Sequence, residues 1–154
     1  MQLGHILRAE GVKVLGATSS KKRLFQDIAE LAMSCYGLEP PKVVEALIER
    51  ENLGPTGVGH GVALPHARLH QIDQMRGLFV RLEKPLDFDA VDRQPVDLVF
   101  ALFAPASAGV DHLKALALVS RTMRNANICA KLRANNDPAK LYAILTESPA
   151  IQAA

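Results

Sequence analysis

From Gly54 to Arg68 the chain reads Gly-Pro-Thr-Gly-Val-Gly-His-Gly-Val-Ala-Leu-Pro-His-Ala-Arg, four glycines and two prolines set around a few polar groups. Neither a helix nor the interior of an ordinary strand accommodates that mixture. Glycine permits positive φ and close approach of the main chain, so Gly54, Gly57, Gly59 and Gly61 describe a loop whose peptide N–H groups can turn toward an anion. The loop runs into a short apolar strand, Val62-Ala63-Leu64. Pro65 holds Leu64 extended and cannot donate to a sheet, which ends the strand and leaves His66 at its exit, beside the glycines. The chemistry this raises is that of a reactive imidazole next to an anion-binding backbone; the alternative, which the residues by themselves favour, is a histidine that merely hydrogen-bonds a turn.

Other polar clusters compete with that site. His60, His66 and His70 form H-x5-H-x3-H, a spacing that invites a zinc site, but Pro65 and the glycine turns spoil the helical face on which such ligands meet. Surface histidines are the alternative reading of His60 and His70. Asp87, Asp89 and Asp92 resemble a carboxylate cluster, although a turn between strands uses such residues routinely.

The elements that must position these groups follow from periodicity and caps. Residues 20–36 read as a helix, with Ser20 as N-cap, Leu24, Ile28, Leu31 and Cys35 on one face and Gly37 as the stop. Pro40-Pro41 announces a second helix that ends near Arg50 and delivers the chain into the glycine loop. Leu78, Val80 and Leu82 alternate with Phe79, Arg81 and Glu83, a strand with one strongly buried face. Residues 96–103 are apolar except Asp97, as in a central strand covered on both faces. Asp111 can cap a helix whose buried face includes Leu113, Leu116, Val119 and Met123. A short helix follows near 128–132, and Asp137-Pro138 starts the last one, with Leu141, Ile144 and Leu145 inward. Within the first 17 residues, Val12 to Leu15 reads as an edge strand. The sum is an α/β class: a single domain over 1–147 with a mixed β-sheet flanked by helices, and a flexible tail over 148–154.

Composition narrows the function classes. The 154 residues are 49% apolar, enough for one core and too few for two comfortable domains. A net charge of +2 and 5% aromatic residues offer no broad basic, aromatic surface for nucleic acid. The longest apolar stretches fall well short of the roughly 20 residues of a membrane span, and no signal segment opens the chain, so membrane insertion is not expected and a cytoplasmic protein is. Cys35 and Cys129 have no CxxC spacing and read as free, buried thiols.

Glu51, six residues, and then Val58 to Ala67 resemble the phosphohistidine signature of the type 2 enzyme IIA domains of the bacterial phosphotransferase system. The run Phe88 to Leu102 is similar to the nitrogen-type branch of that family rather than to its fructose- or mannitol-specific transport domains. The likeness extends from about Leu3 to Leu145, with two departures: Ala67, where the family more often has glycine, and His60, where nitrogen-type proteins often carry asparagine.

The resemblance implies the type 2 enzyme IIA fold and a phosphoryl group accepted on His66. It implies Arg50 as a phosphate-stabilising cation, where composition alone gives a solvated helix end, and His112 as a second active-site histidine, where the alternative is a surface residue in a capping turn. Thr56 either donates a hydroxyl to the phosphate or stabilises the turn. No metal or organic cofactor is implied. The implied donor is a nitrogen-type relative of the small histidine-containing carrier protein, charged in turn from phosphoenolpyruvate, and the implied outputs are regulatory targets such as potassium transport proteins or sensor kinases. Leu53, Val58 and Val62 are candidate partner contacts. Three alternatives remain: a sugar-transport enzyme IIA serving a separate enzyme IIB, a binding module that keeps the fold without the chemistry, and a zinc-dependent hydrolase using the histidine set.

Overall fold

The structure, a computed structural model, describes residues 1–147, so the expected tail lies outside the described residues. After a short turn of 3-10 helix at Leu3–His5 come strand β1 (Leu7–Leu15), helices α1 (Lys21–Tyr36) and α2 (Pro40–Asn52), and the short strands β2 (Gly57–Gly59), β3 (Val62–Ala63) and β4 (His66–Leu69). Two long strands, β5 (Arg76–Leu86) and β6 (Val96–Pro105), precede α3 (Val110–Met123), α4 (Ala126–Arg133) and α5 (Pro138–Thr146).

Local chemistry sets the helix ends. The Ser20 hydroxyl accepts the Arg23 N–H at 3.1 Å to open α1, and Gly37 closes it in the left-handed conformation, φ 71°. Asn125 and Asp137 cap α4 and α5 in the same way as Ser20 caps α1.

The strands form one mixed sheet in the order β1-β5-β6-β3-β2, with β4 also lying along β6. β1 runs parallel to β5, and β3 and β4 run parallel to β6; β5 with β6 and β2 with β3 are antiparallel. Side chains of β6 alternate between two cores. Leu98, Phe100, Leu102 and Ala104 pack with α3, α4 and α5, while Val99, Ala101 and Phe103 pack with α1 and α2. The sheet is thus covered by helices on both faces.

Several expectations shift. The edge strand at the N-terminus starts earlier than Val12, at Leu7, with a register shift between Leu7 and Val12. β5 is buried on both faces in its first half, because Phe79 packs into the core opposite Leu78 and Val80. Helix α3 starts from Gly109, not from Asp111, which lies in the first turn. Its inward face carries His112, Ala115, Leu118, Val119 and Met123, and Leu113 is 65% exposed. The i, i+3, i+7 spacing that begins at His112 meets the core, and Leu113 falls one position round the helix from it.

Candidate active site

Pro65 interrupts a strand without ending the pairing. β3 and β4 both align with β6, and the Pro65 carbonyl accepts the Leu102 N–H at 3.0 Å, so His66 opens a new strand where a loop exit was expected. This matters for geometry, because β4 then obeys the two-residue period of a strand: Ala67 and Leu69 are buried in the core, and His66 and Arg68 share the outward face. The last turn of α2 brings Arg50 to the same place, and the first turn of α3 brings His112.

Arg50 Nε lies 3.2 Å from His66 Nε2, and its Nη1 donates to the Gly54 carbonyl at 2.9 Å. A guanidinium is a donor only, so Nε2 is the accepting nitrogen and the ring proton sits on Nδ1, which donates to the Leu64 carbonyl at 2.9 Å. Burial pushes the His66 pKa below the ordinary histidine value; Arg50 adds to that shift, and the Leu64 hydrogen bond opposes it. The imidazole is therefore neutral at neutral pH, with its lone pair on the nitrogen that faces the groove cation.

The His112 ring stands edge-on to His66, with centroids 5.8 Å apart and planes at 69°. It is only 7% exposed. Arg68 Nε donates to His112 Nδ1 at 3.3 Å, while His112 Nε2 is buried with no hydrogen-bond partner among the described residues. Burial is the largest cause holding the His112 pKa below its usual value, followed by His66 and Arg68. Ala46, Glu49 and the 85% exposed Leu53 complete the groove wall.

The remaining sequence candidates lie elsewhere. Thr56 is buried, with its hydroxyl 2.5 Å from Glu51 Oε1 and its N–H 3.1 Å from Oε2, so Glu51 holds it in the turn. Glu51 is held in turn by Lys21, Nζ to Oε2 2.9 Å. Gly57, Gly59 and Gly61 shape the β2–β3 hairpin, where they face Ala90, Asp92 and Arg133 with Asp97, and are not brought to the imidazole. Val58 belongs to a separate groove with Arg124 and Arg133, and Val62 is buried in the sheet, which removes it as a surface contact. His60 occupies the hairpin turn at φ 57° and donates its N–H to Asp92 Oδ2 at 3.0 Å. Asp87 and Asp92 accept backbone N–H groups from Asp89 and Gln94, which is turn chemistry. Sequence reasoning gave Arg68 no role. The signal for it is the two-residue period after Pro65, legible only once β4 is recognised as a strand.

The family model for the phosphoenolpyruvate-dependent sugar phosphotransferase system, EIIA 2, matches residues 5–148. The chain belongs to this type 2 enzyme IIA family. Within it, the chain is 43% identical over 153 residues to the nitrogen regulatory protein of Bradyrhizobium diazoefficiens, covering 99% of this chain and 100% of the relative. The nitrogen regulatory protein of Escherichia coli K12 is also 43% identical, over 150 residues, 96% of this chain and 91% of that one. Among solved structures, nitrogen regulatory protein IIA-Ntr from Neisseria meningitidis superposes with a TM-score of 0.85 at 37% identity, covering 94% of this chain and 99% of the other. The mannitol IIA of Escherichia coli, at 18% identity and a TM-score of 0.75, shares the enzyme IIA fold. The relatives place this enzyme IIA domain in the nitrogen-regulatory branch. No helix among its described residues is long and apolar enough to cross a membrane.

Proposed function

We propose that this domain is a regulatory phosphocarrier that accepts a phosphoryl group on His66 Nε2 from the phosphohistidine of a small carrier protein. The observation that carries the reading is the ring's fixed state: Nδ1 holds the proton against Leu64, and Nε2 presents its lone pair beside a guanidinium. In the transfer step the donor's N–P bond breaks as the bond from Nε2 to phosphorus forms. The proton stays on Nδ1 throughout, donated in a hydrogen bond to the Leu64 carbonyl. Arg50 must then leave the lone pair and move its donors to phosphoryl oxygens, a short shift for a forked cation that already spans Nε2 and Gly54.

Nitrogen regulatory relatives support an output by binding rather than by sugar uptake. A phosphoryl group adds negative charge and strong acceptor oxygens at the centre of a surface rimmed by the exposed Leu53, so a partner that docks on the unmodified face loses that contact. Potassium transport proteins and sensor kinases are the classes of target this reading names.

The test is incubation with phosphoenolpyruvate, enzyme I and the nitrogen-type carrier. The expected product is one acid-labile, alkali-stable phosphate per chain, absent from His66→Ala. Label retained to the wild-type extent in that variant would overturn the assignment. Rapid onward transfer to a sugar-specific enzyme IIB, with the same partners captured by modified and unmodified protein, would replace regulation with transport.

A further inference from the structure

We infer that Arg68 is a positioning residue for phosphoryl transfer: it holds His112 with Nδ1 as acceptor, which leaves the buried Nε2–H as a donor for a phosphoryl oxygen on His66. The inference rests on the phosphocarrier reading above and adds to it a residue and a hydrogen-bond direction.

Three observations carry it. First, a neutral imidazole has one donor and one acceptor, and a guanidinium can only donate, so the 3.3 Å contact from Arg68 Nε fixes Nδ1 as the acceptor and puts the proton on Nε2. Second, that Nε2 is buried and has no partner among the described residues. A buried donor without a partner costs free energy unless a ligand supplies the acceptor, and such groups mark sites that are completed on binding. Third, the ring centroids of His66 and His112 are 5.8 Å apart and both rings line one groove, which puts a phosphoryl group on His66 within reach of the second imidazole. The arrangement is built by the fold. Arg68 is two residues beyond His66 on the outward face of β4, and both β4 and α3 are tied to β6, one by pairing and the other by continuing the chain from its end.

Arg68 has a second possible action, direct attraction of the phosphoryl group or of the carrier, since it also lines the His66 groove. The two actions differ in whether they need His112. A double-mutant cycle separates them. The donor is phosphoramidate, a small molecule that removes carrier docking from the measurement: its N–P bond breaks, ammonia leaves with a solvent proton, and the bond from Nε2 of His66 to phosphorus forms.

Arg68→Met should slow uptake on the order of tenfold, the scale of one orienting hydrogen bond, and should cause no further slowing in a His112→Ala background. Equal slowing in both backgrounds, or none in either, would overturn the positioning role. Imidazole nitrogen NMR of the unmodified protein supplies a reading independent of transfer: His112 should show protonated Nε2 and bare Nδ1 in wild type, and averaging between the two tautomers in Arg68→Met. Unchanged His112 signals would likewise overturn the inference. Wild-type protein that takes up no phosphate overturns the phosphocarrier reading itself, an outcome distinct from uptake with losses that simply multiply.

Discussion

The glycine-rich stretch divides into two halves that look alike in sequence and behave differently. In the upstream half, Gly54 to Gly61, the polar groups are paired: Thr56 with Glu51, the His60 N–H with Asp92, and the His60 carbonyl with Arg133 Nη2 at 2.7 Å. In the downstream half, His66 to Arg68, the His66 lone pair meets only a cation, and the buried Nε2 of the nearby His112 has no hydrogen-bond partner among the described residues. Groups that are already satisfied hold shape, and groups held ready without a partner do chemistry. Substitution should therefore split the two halves, with activity lost on one side and stability on the other.

The largest effect is expected at His66. His66→Ala should abolish phosphorylation while leaving the melting temperature within a few degrees of wild type, because the ring is only partly buried and makes one hydrogen bond to backbone. Calorimetry beside a phosphorylation assay reads both. A variant that unfolds at growth temperature would break the comparison, since His66 would then belong to the scaffold.

Next come the two groups that face it. Arg50→Ala and His112→Ala should each slow single-turnover phosphorylation on the order of a hundredfold, the usual cost of one donor that meets growing charge. Rates unchanged in both would remove them from the transfer step. Arg50 also pins the Gly54 carbonyl, so circular dichroism must accompany its rate.

Much of this was legible beforehand, and the failures have a common cause. Caps, stops and the all-apolar run of β6 act over a few residues, so α1, α2, α5 and the doubly covered strand could be read directly. His66, Arg50 and His112 were singled out by likeness to the family, since the strand exit beside glycines that local geometry predicted for His66 is a paired strand in the fold. What the sequence hid depends on contacts between distant segments. Gly57 is glycine because a Cβ there would stand 2.8 Å from that of Ala90, and Gly61 because a Cβ would meet Arg133 and Asp97, neither of which concerns a phosphate. The exposure of Leu113 follows from where α3 begins, one turn detail that rotates a whole face.

Smaller effects are expected in the upstream half. Gly61→Ala places a Cβ at φ 77° and 2.5 Å from Arg133 Nη2, which should cost about 1–3 kcal/mol of stability. Thr56→Val removes a hydroxyl donor from a buried, charged acceptor and should cost about 1.5–3 kcal/mol. Denaturant unfolding measures both, and phosphorylation below the transition should stay within a few-fold of wild type. A Thr56→Val protein of normal stability that transfers phosphate a hundredfold more slowly would move Thr56 into the site and blur the division.

The smallest effect is a pH dependence that the downstream half should show. Burial is the first cause lowering both the His66 and the His112 pKa, so between those lowered values and about 6.5, the ordinary histidine value, the unfolded chain binds more protons than the folded one. Stability then rises with pH across that window. It is complete above about pH 6.5 and is lost as the pH falls toward the folded values. The same shifts keep both rings neutral below the usual value, so the phosphorylation rate should hold level as the pH falls through about 6.5 and decline only further down. Unfolding midpoints of wild type and of His66→Gln/His112→Gln, compared from about pH 8 to about pH 5, isolate this contribution from that of the other titrating groups. The double variant should lose less stability on acidification. Equal losses would mean that neither ring is held neutral by its surroundings, and the contrast between a satisfied scaffold and a desolvated, poised site would lose its electrostatic half.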